Sequence, residues 1–178
     1  MNHHFTFLDA IIKKAAQLHV ENIETYEPYP LDELETIPYE PVAGDPLDKL
    51  VKKHKLNREE HITLLLALAP HFRPQVLDLF FAKNPDFDRI CTEFGGVTEK
   101  EHRGIIPTGE TVMFLLTGRD VELRNERAQM FRTNHTFYKK NLLYLEEMAE
   151  NQPWLSGRKC GARASSRVMC SSRLSLCF

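Results

Sequence analysis

Residues 94–118, FGGVTEKEHRGIIPTGETVMFLLTG, contain in succession a glycine pair, a charged loop, a tight turn and a short apolar helix. Residues 97–106 can form a charged hairpin or loop after the glycine pair. Thr108 is suited to cap the helix, Glu110 lies in its first turn, and Gly118 follows its end. This stretch therefore predicts a small β-wing followed by a helix.

Two helices are predicted N-terminal to the wing. The first covers residues 45–55, where an N-cap aspartate precedes a proline at the first helical position. The second begins with a capping box formed by Asn57 and Glu60. Residues 62–69 are apolar with one interruption, which predicts a buried central helix, and Pro70 is expected to end it.

A third helix is predicted to open at Pro74 and to extend to about residue 83, which gives a helix-turn-helix arrangement. Its inward side is expected to consist of Val76, Leu77, Phe80 and Phe81. Residues 87–94 can carry a short strand, and residues 120–131 form a helix capped by an aspartate. Residues 136–146 are predicted to form a strand that follows a polar turn.

The N-terminal residues 5–20 have the period of an amphipathic helix. Its apolar stripe consists of Phe5, Leu8, Ile11, Ile12 and Ala15. This helix either packs on the core of its own domain or forms a detachable arm that docks in a groove of another protein. Five prolines between residues 27 and 46 favour the arm, because they interrupt regular structure. Residues 21–44 are predicted to be an extended, acidic linker.

The C-terminal residues 158–178 differ from the rest of the chain. They are rich in Ser, Arg and Cys, lack acidic residues and have no hydrophobic period. Two interpretations remain open, a disordered basic tail and an out-of-frame translation. The predicted organisation is thus a helix at 1–20, a linker at 21–44, a domain at 45–157 and this tail.

Charge and cysteine content limit the class of protein. The formal net charge is −2, and the five cations of residues 158–178 leave −2 − 5 = −7 on the remainder, which disfavours binding to a phosphate backbone. Three of the four cysteines lie in the tail, unlike a secreted disulfide framework. No signal peptide or membrane span is recognised, and we expect a reduced, cytoplasmic protein.

Four motifs in order resemble a known group of proteins. They are LLLALAPHFRPQVLDLFFAKNPDFDR at 64–89, TEFGG at 92–96, HRGIIPTGETVMFLL at 102–116 and NQPWLSG at 151–157. Their order is similar to the region N-terminal to the ATPase module in bacterial AAA-type ATPases that are encoded with contractile injection systems. The resemblance covers roughly residues 26–157. It implies a winged-helix-like domain that leads into a nucleotide-binding domain. Together with the amphipathic N-terminal helix, the expected fold is mainly α with a small β-wing, a winged-helix-like helical domain.

The chain departs from that group after residue 157, where those proteins continue into the ATPase core. It contains no G-x-x-x-x-G-K-[ST] sequence, so no loop is expected to hold nucleotide phosphates. ATP and Mg²⁺ are implied only for a full-length parent. No cofactor is expected in this chain.

No catalytic, cofactor-binding or metal-binding residue is predicted. The histidines at 54, 61, 71 and 102 lack a zinc spacing and are expected to be scattered surface residues. Cys91 is interpreted as a small core residue rather than a nucleophile. The residues predicted to form a structural or interaction motif are Phe94, Gly95, Gly96, Pro107, Thr108, Gly109 and Glu110. Within it, Gly109 is expected to need a backbone shape that glycine adopts at little cost.

The function expected from these observations is a non-catalytic accessory and protein-interaction domain, whose partner is another protein or the ATPase core of its parent. The alternative is a helix-turn-helix DNA-binding regulator. Its recognition helix would be residues 74–83, which offer few groups suited to base contacts, with further cations at Lys100, Arg103 and Arg119. An enzyme acting alone ranks last, because no acid, base and nucleophile converge.

Overall fold

A computed structural model of the chain describes residues 1–25, 27–28, 31–84, 88–98, 104–145 and 160–162. Helices dominate these residues, and short antiparallel strand pairs accompany them. The predicted class, mainly α with a small β-wing, is confirmed. In this part of the chain, none of the helices has both the length and the apolar character needed to cross a bilayer.

The helices are α1 (Asn2–Glu21), α2 (Asp32–Glu35), α3 (Pro46–His54), α4 (Arg58–Phe72), α5 (Gly109–Thr117), α6 (Val121–Arg127) and α7 (Thr136–Lys139), with 3-10 segments at Pro74–Phe81, Thr92–Phe94 and Ala128–Phe131. The strands are β1 (Lys83–Asn84), β2 (Arg89–Ile90), β3 (Val97–Thr98), β4 (Ile105–Ile106), β5 (Leu143–Leu145) and β6 (Cys160–Ala162). They pair as β1–β2, β3–β4 and β5–β6, all antiparallel.

Helix α4 is the buried central helix that the sequence predicts. Its capping box is present, since the Asn57 side chain accepts from the Glu60 amide at 2.8 Å and the Glu60 carboxylate accepts from the Asn57 amide at 2.7 Å. The expected end at Pro70 is wrong, because the helix continues to Phe72. Proline lacks an N–H donor and its ring crowds the preceding turn, but these costs do not end the helix here, since the Arg73 N–H donates to the Ala69 carbonyl.

Helix α1 belongs to the core of the chain. It lies against α4, α5 and the Pro74–Phe81 segment. The five residues of the predicted apolar stripe are between 0% and 3% exposed: Phe5, Leu8, Ile11, Ile12 and Ala15. The apolar face is therefore already covered by this chain, as in the own-core interpretation and unlike a detachable arm.

The segment at 21–44 is not extended throughout, which corrects the predicted secondary structure. It contains α2, and Leu34 of that helix is buried in the core. The Arg58 guanidinium donates to the carbonyls of Leu34 and Ile37, both at 2.7 Å. Prolines exclude long regular elements here, but they do not prevent one helical turn from packing on α4.

The elements after α4 agree with the sequence in part. Strands β3 and β4 form the predicted wing, with Val97 opposite Ile106 and Thr98 opposite Ile105. The strand expected at 87–94 is limited to β2 and is followed by a 3-10 turn. Phe81, expected on the inward side of the third helix, is exposed.

The strand predicted over 136–146 is wrong at its start. Residues Thr136–Lys139 form helix α7, and within the described residues 136–145 the strand is Leu143–Leu145. The His135 ring accepts from the Phe137 amide at 3.3 Å, which caps the short helix, and the Phe137 side chain is buried. Burial of one aromatic ring therefore outweighs the β-propensity of the segment.

Within the tail, Cys160–Ala162 form β6 and pair with β5. This strand departs from the prediction of a tail without regular structure. The other residues of 158–178, and the NQPWLSG motif, lie outside the described residues.

Candidate functional site

Two of the motifs that carry the resemblance, TEFGG and the PTGET part of HRGIIPTGETVMFLL, meet at the N-terminus of α5. We name this unit the glycine corner: Phe94, Gly95 and Gly96 packed on Thr108–Thr111. The Gly96 amide donates to the Thr108 hydroxyl at 3.1 Å, and the Thr108 amide donates to the Thr111 hydroxyl at 3.0 Å. Both threonines are fully buried, and the Phe94 ring contacts the Phe114 ring edge-on at 4.8 Å. The corner joins the wing to α5.

Two glycines of the corner require their small size. Gly95 and Gly96 have φ of 62° and 85°, in the left-handed region. A Cβ at Gly95 would lie 2.5 Å from the Glu110 Cβ and 2.8 Å from the Thr111 amide nitrogen. Gly109, by contrast, begins α5 and is not among the positive-φ glycines. The expectation that Gly109 needs a glycine-only backbone is therefore wrong.

Charged side chains tie the corner to α1 and α6. The Arg119 Nε donates a hydrogen bond to Glu93 at 3.1 Å, and another contact of 3.2 Å joins the Glu93 carboxylate to the buried His19 Nδ1. His19 and Arg119 lower the pKa of Glu93 to about 2. Glu110 forms an ion pair with Arg124 of α6.

A second cluster lies where α1 and α3 begin. We name it the His–Asp cluster: His3, His4, Asp45 and Asp48. One potential ligand atom from each of these residues lies within 4.8 Å of all the others. The His3 Nε2 is 3.1 Å from an Asp48 oxygen, and the His4 Nε2 is 3.0 Å from the Asp45 Oδ1. Asp45 also caps α3, and its other oxygen lies 2.6 Å from the Met1 amino group.

Tyr39 and His61 surround the cluster. The Tyr39 hydroxyl donates to Asp48 and lies 2.8 Å from the His4 Nδ1, which is also 3.3 Å from the His61 Nε2. Burial lowers the pKa of His4 and raises that of Tyr39, which the bond to Asp48 raises further. Burial also lowers the pKa of His61 to about 4. Although burial opposes it, the Met1 amino group and His4 keep the pKa of Asp45 below its usual range.

An open groove of about 900 Å³ adjoins the cluster, lined by α3, α4 and the chain at 39–44. Its apolar floor includes Phe7, Val51 and Leu56. Its charged lining consists of Lys49, Lys52, Lys55 and Arg58, together with Asp48. Among the described residues, the three lysines have no ion pair, so their positive charge is not neutralised by a partner. We name this surface the basic groove.

The His–Asp cluster is not apparent from the sequence. The expectation that the histidines are scattered surface residues is wrong for His61, since that residue is 4% exposed. The two histidines of the cluster are adjacent, and their acidic partners follow more than 40 positions later, so no short spacing connects them. The local signal is the N-cap residue Asp45, which is followed by Pro46, with Asp48 in the first turn of α3.

The residues considered for DNA binding or for nucleophilic catalysis do not form a site in the described part of the chain. Val76, Leu77 and Phe80 of the candidate recognition helix are buried, and Arg119 pairs with Glu93. Lys100 and Arg103, like the rest of the charged wing loop, lie outside the described residues. Burial raises the pKa of the Cys91 thiol, which is unfavourable for a nucleophile.

No family model matches this chain, and neither a curated protein nor a solved structure does.

Proposed function

We propose that this chain is a non-catalytic, N-terminal interaction module of an AAA-type ATPase that serves a contractile injection system. The observation that carries the proposal is the glycine corner. EFGG and PTGET, the two more specific signatures of the resemblance, are joined by the hydrogen bond from Gly96 to Thr108, 12 positions later, and the Thr108 amide in turn donates to Thr111. Their polar groups serve packing and helix capping, as expected of a scaffold rather than a reaction site.

The basic groove is the surface that we assign to the partner. Lys49, Lys52 and Lys55 project from one helix and its C-cap beside an apolar floor, and they are exposed. An acidic segment with apolar side chains would complement both the charge and the floor. The surrounding chain is acidic, so this local excess of cations favours one orientation of the partner.

The test is calorimetric titration of the full chain with the ATPase module of such an AAA protein from the same genome. We expect a saturable complex that weakens at least tenfold in Lys49→Glu/Lys52→Glu/Lys55→Glu. A control with the same charge change is Lys53→Glu/Lys139→Glu/Lys140→Glu, which alters exposed lysines outside the groove. Equal binding by both variants would reject the groove, and absence of a complex would reject the proposal.

Binding to duplex DNA tests the alternative function, a helix-turn-helix DNA-binding regulator. The full chain is compared by fluorescence anisotropy with a variant whose five tail cations are replaced by Gln: Arg158, Lys159, Arg163, Arg167 and Arg173. Salt-dependent binding that persists in this variant would favour the helix-turn-helix regulator. Binding that disappears with the tail cations would be non-specific attraction to the tail.

A further inference from the structure

We propose that the His–Asp cluster is a binding site for a divalent transition-metal ion, with Zn²⁺ as its representative. The ligands would be the Nε2 atoms of His3 and His4 and one oxygen each of Asp45 and Asp48. This inference is independent of the function proposed above.

The donor set has the composition of a metal site. Two imidazole nitrogens and two carboxylate oxygens suit zinc and neighbouring first-row ions, and four such ligands complete a tetrahedral shell. The ligand atoms are already grouped by two helix beginnings, with contacts of 3.0 Å and 3.1 Å between histidine and aspartate pairs. Because tetrahedral ligands about 2.0–2.2 Å from one ion lie about 3.3–3.6 Å apart, the widest separation in the cluster, 4.8 Å, must close by about 1.2 Å when an ion binds.

The hydrogen bonds around His4 fix which nitrogen faces the site. The single proton of the Tyr39 hydroxyl is donated to an Asp48 oxygen, since the ionised carboxylate can only accept. The Tyr39 oxygen, 2.8 Å from the His4 Nδ1, must therefore accept a proton from that nitrogen. His4 thus holds its proton on Nδ1 and directs Nε2 at the carboxylates.

The 3.0 Å contact between the His4 Nε2 and an Asp45 oxygen can be held by a shared proton or by a metal ion that both atoms bind. With a metal ion, both atoms become ligands, and the chain His4–Tyr39–Asp48 becomes an outer shell that links one ligand to another. Such outer bonds from the second ring nitrogen are characteristic of metal-bound histidines.

The burial of the site agrees with this role. The His4 side chain is 0% exposed and those of Asp45 and Asp48 are 8% and 10% exposed, while that of His3 is 26% exposed and leaves an entry path. The ion would join the start of α1 to the start of α3, which are separated by the whole 21–44 segment. We therefore infer a structural rather than a catalytic ion.

The experiment titrates Zn²⁺ into metal-stripped full chain and follows heat and melting temperature. Because Cys91 and the three tail cysteines are themselves potential zinc ligands, every titration is repeated on protein with alkylated thiols. We expect one equivalent to bind after alkylation and to raise the melting temperature by about 5–10 °C at a hundredfold excess over Kd. Co²⁺ should give the visible bands of a tetrahedral nitrogen and oxygen site, without thiolate charge-transfer bands.

Three variants assign the site. His3→Ala and Asp48→Asn should abolish the thiol-independent equivalent, and Tyr39→Phe, which removes only the outer bond, should weaken it about 10- to 100-fold. The control His54→Ala changes a histidine of α3 outside the cluster and should bind like the unaltered chain. Circular dichroism establishes that each variant is folded. No thiol-independent binding, which would mean that a proton fills the site, or unchanged binding by folded His3→Ala would overturn the proposal.

Discussion

At the scale of single residues, the glycine corner is the part of the molecule that requires glycine. Gly95 combines a left-handed backbone with contact to the first turn of α5, whereas Gly44 has a φ of 91° and open space around its Cβ position. A substitution at Gly95 therefore combines backbone strain with steric overlap, whereas a substitution at Gly44 introduces backbone strain alone.

Replacement of Gly95 by Ala should lower the free energy of unfolding by about 3 kcal/mol, since the Cβ adds overpacking to strain. The matched variant Gly44→Ala should lose only about 1 kcal/mol, because strain acts alone. Urea denaturation measures both. Equal losses in the two variants would show that the corner has room for a side chain.

The Glu93 network predicts a pH dependence. Its pKa falls from an ordinary 4.5 to about 2 in the folded chain, so the folded state binds this proton less readily than the unfolded state. The stabilisation is present above pH 4.5 and is lost as the pH falls towards 2. The stability difference between the chain and Glu93→Gln should therefore shrink over this range.

Thermal melting of both proteins at several pH values measures that difference. Glu126→Gln is the control, because this glutamate is on the surface and contacts Arg127 instead. Since the Glu93 side chain is 39% exposed, solvent screening will reduce the effect. A pH-independent gap between the unaltered chain and Glu93→Gln would mean that the contact with His19 and Arg119 does not form.

At the scale of secondary-structure elements, α1 decides whether the chain is one unit or a domain with an arm. Its apolar face packs between α4, α5 and the Pro74–Phe81 segment, and no residue of the predicted stripe is left for another protein. The helix should therefore unfold with the core.

Truncation of Ile11 to Ala should lower the free energy of global unfolding by about 3 kcal/mol, because the side chain is fully buried. Val20→Ala in the same helix should change it by less than about 0.5 kcal/mol, since Val20 is 64% exposed. Both values come from urea denaturation followed by circular dichroism. A loss below about 1 kcal/mol for Ile11→Ala would indicate an arm that detaches before the core unfolds.

Local patterns predicted much of the element structure. The Asp45 and Asn57 caps, the apolar run of α4 and the wing follow from residues close in sequence, and the structure contains them. The hydrophobic period of α1 predicts an apolar face but does not identify what covers it, because any apolar surface could pack against that face. The pairing of β5 with β6 was also inaccessible, because it joins residues that no local pattern relates.

The His–Asp cluster was unpredictable for the same reason. His3 and His4 approach Asp45 and Asp48 only because α1 docks beside α3, and Tyr39 reaches them across the proline-rich segment. Short motifs reveal ligands that share a helix or a loop. Ligands that come together only when two helices pack can be recognised only when that packing is known.

At the scale of the whole molecule, the hydrophobic core and the net charge divide the chain at different positions. The core spans α1 to β5, so the N-terminal helix and the central domain form one packing unit. The charge divides instead into a −7 portion and a +5 C-terminal segment. Against that acidic background, the basic groove is a local surface of opposite sign, and it is the surface that we propose for a protein partner.

We propose that this chain works by binding a partner and does not make or break bonds. Steady-state turnover of ATP with Mg²⁺ by the purified full chain alone tests this proposal. We expect no phosphate release above the protein-free blank. Release that co-elutes with the chain and rises in proportion to its concentration would contradict it.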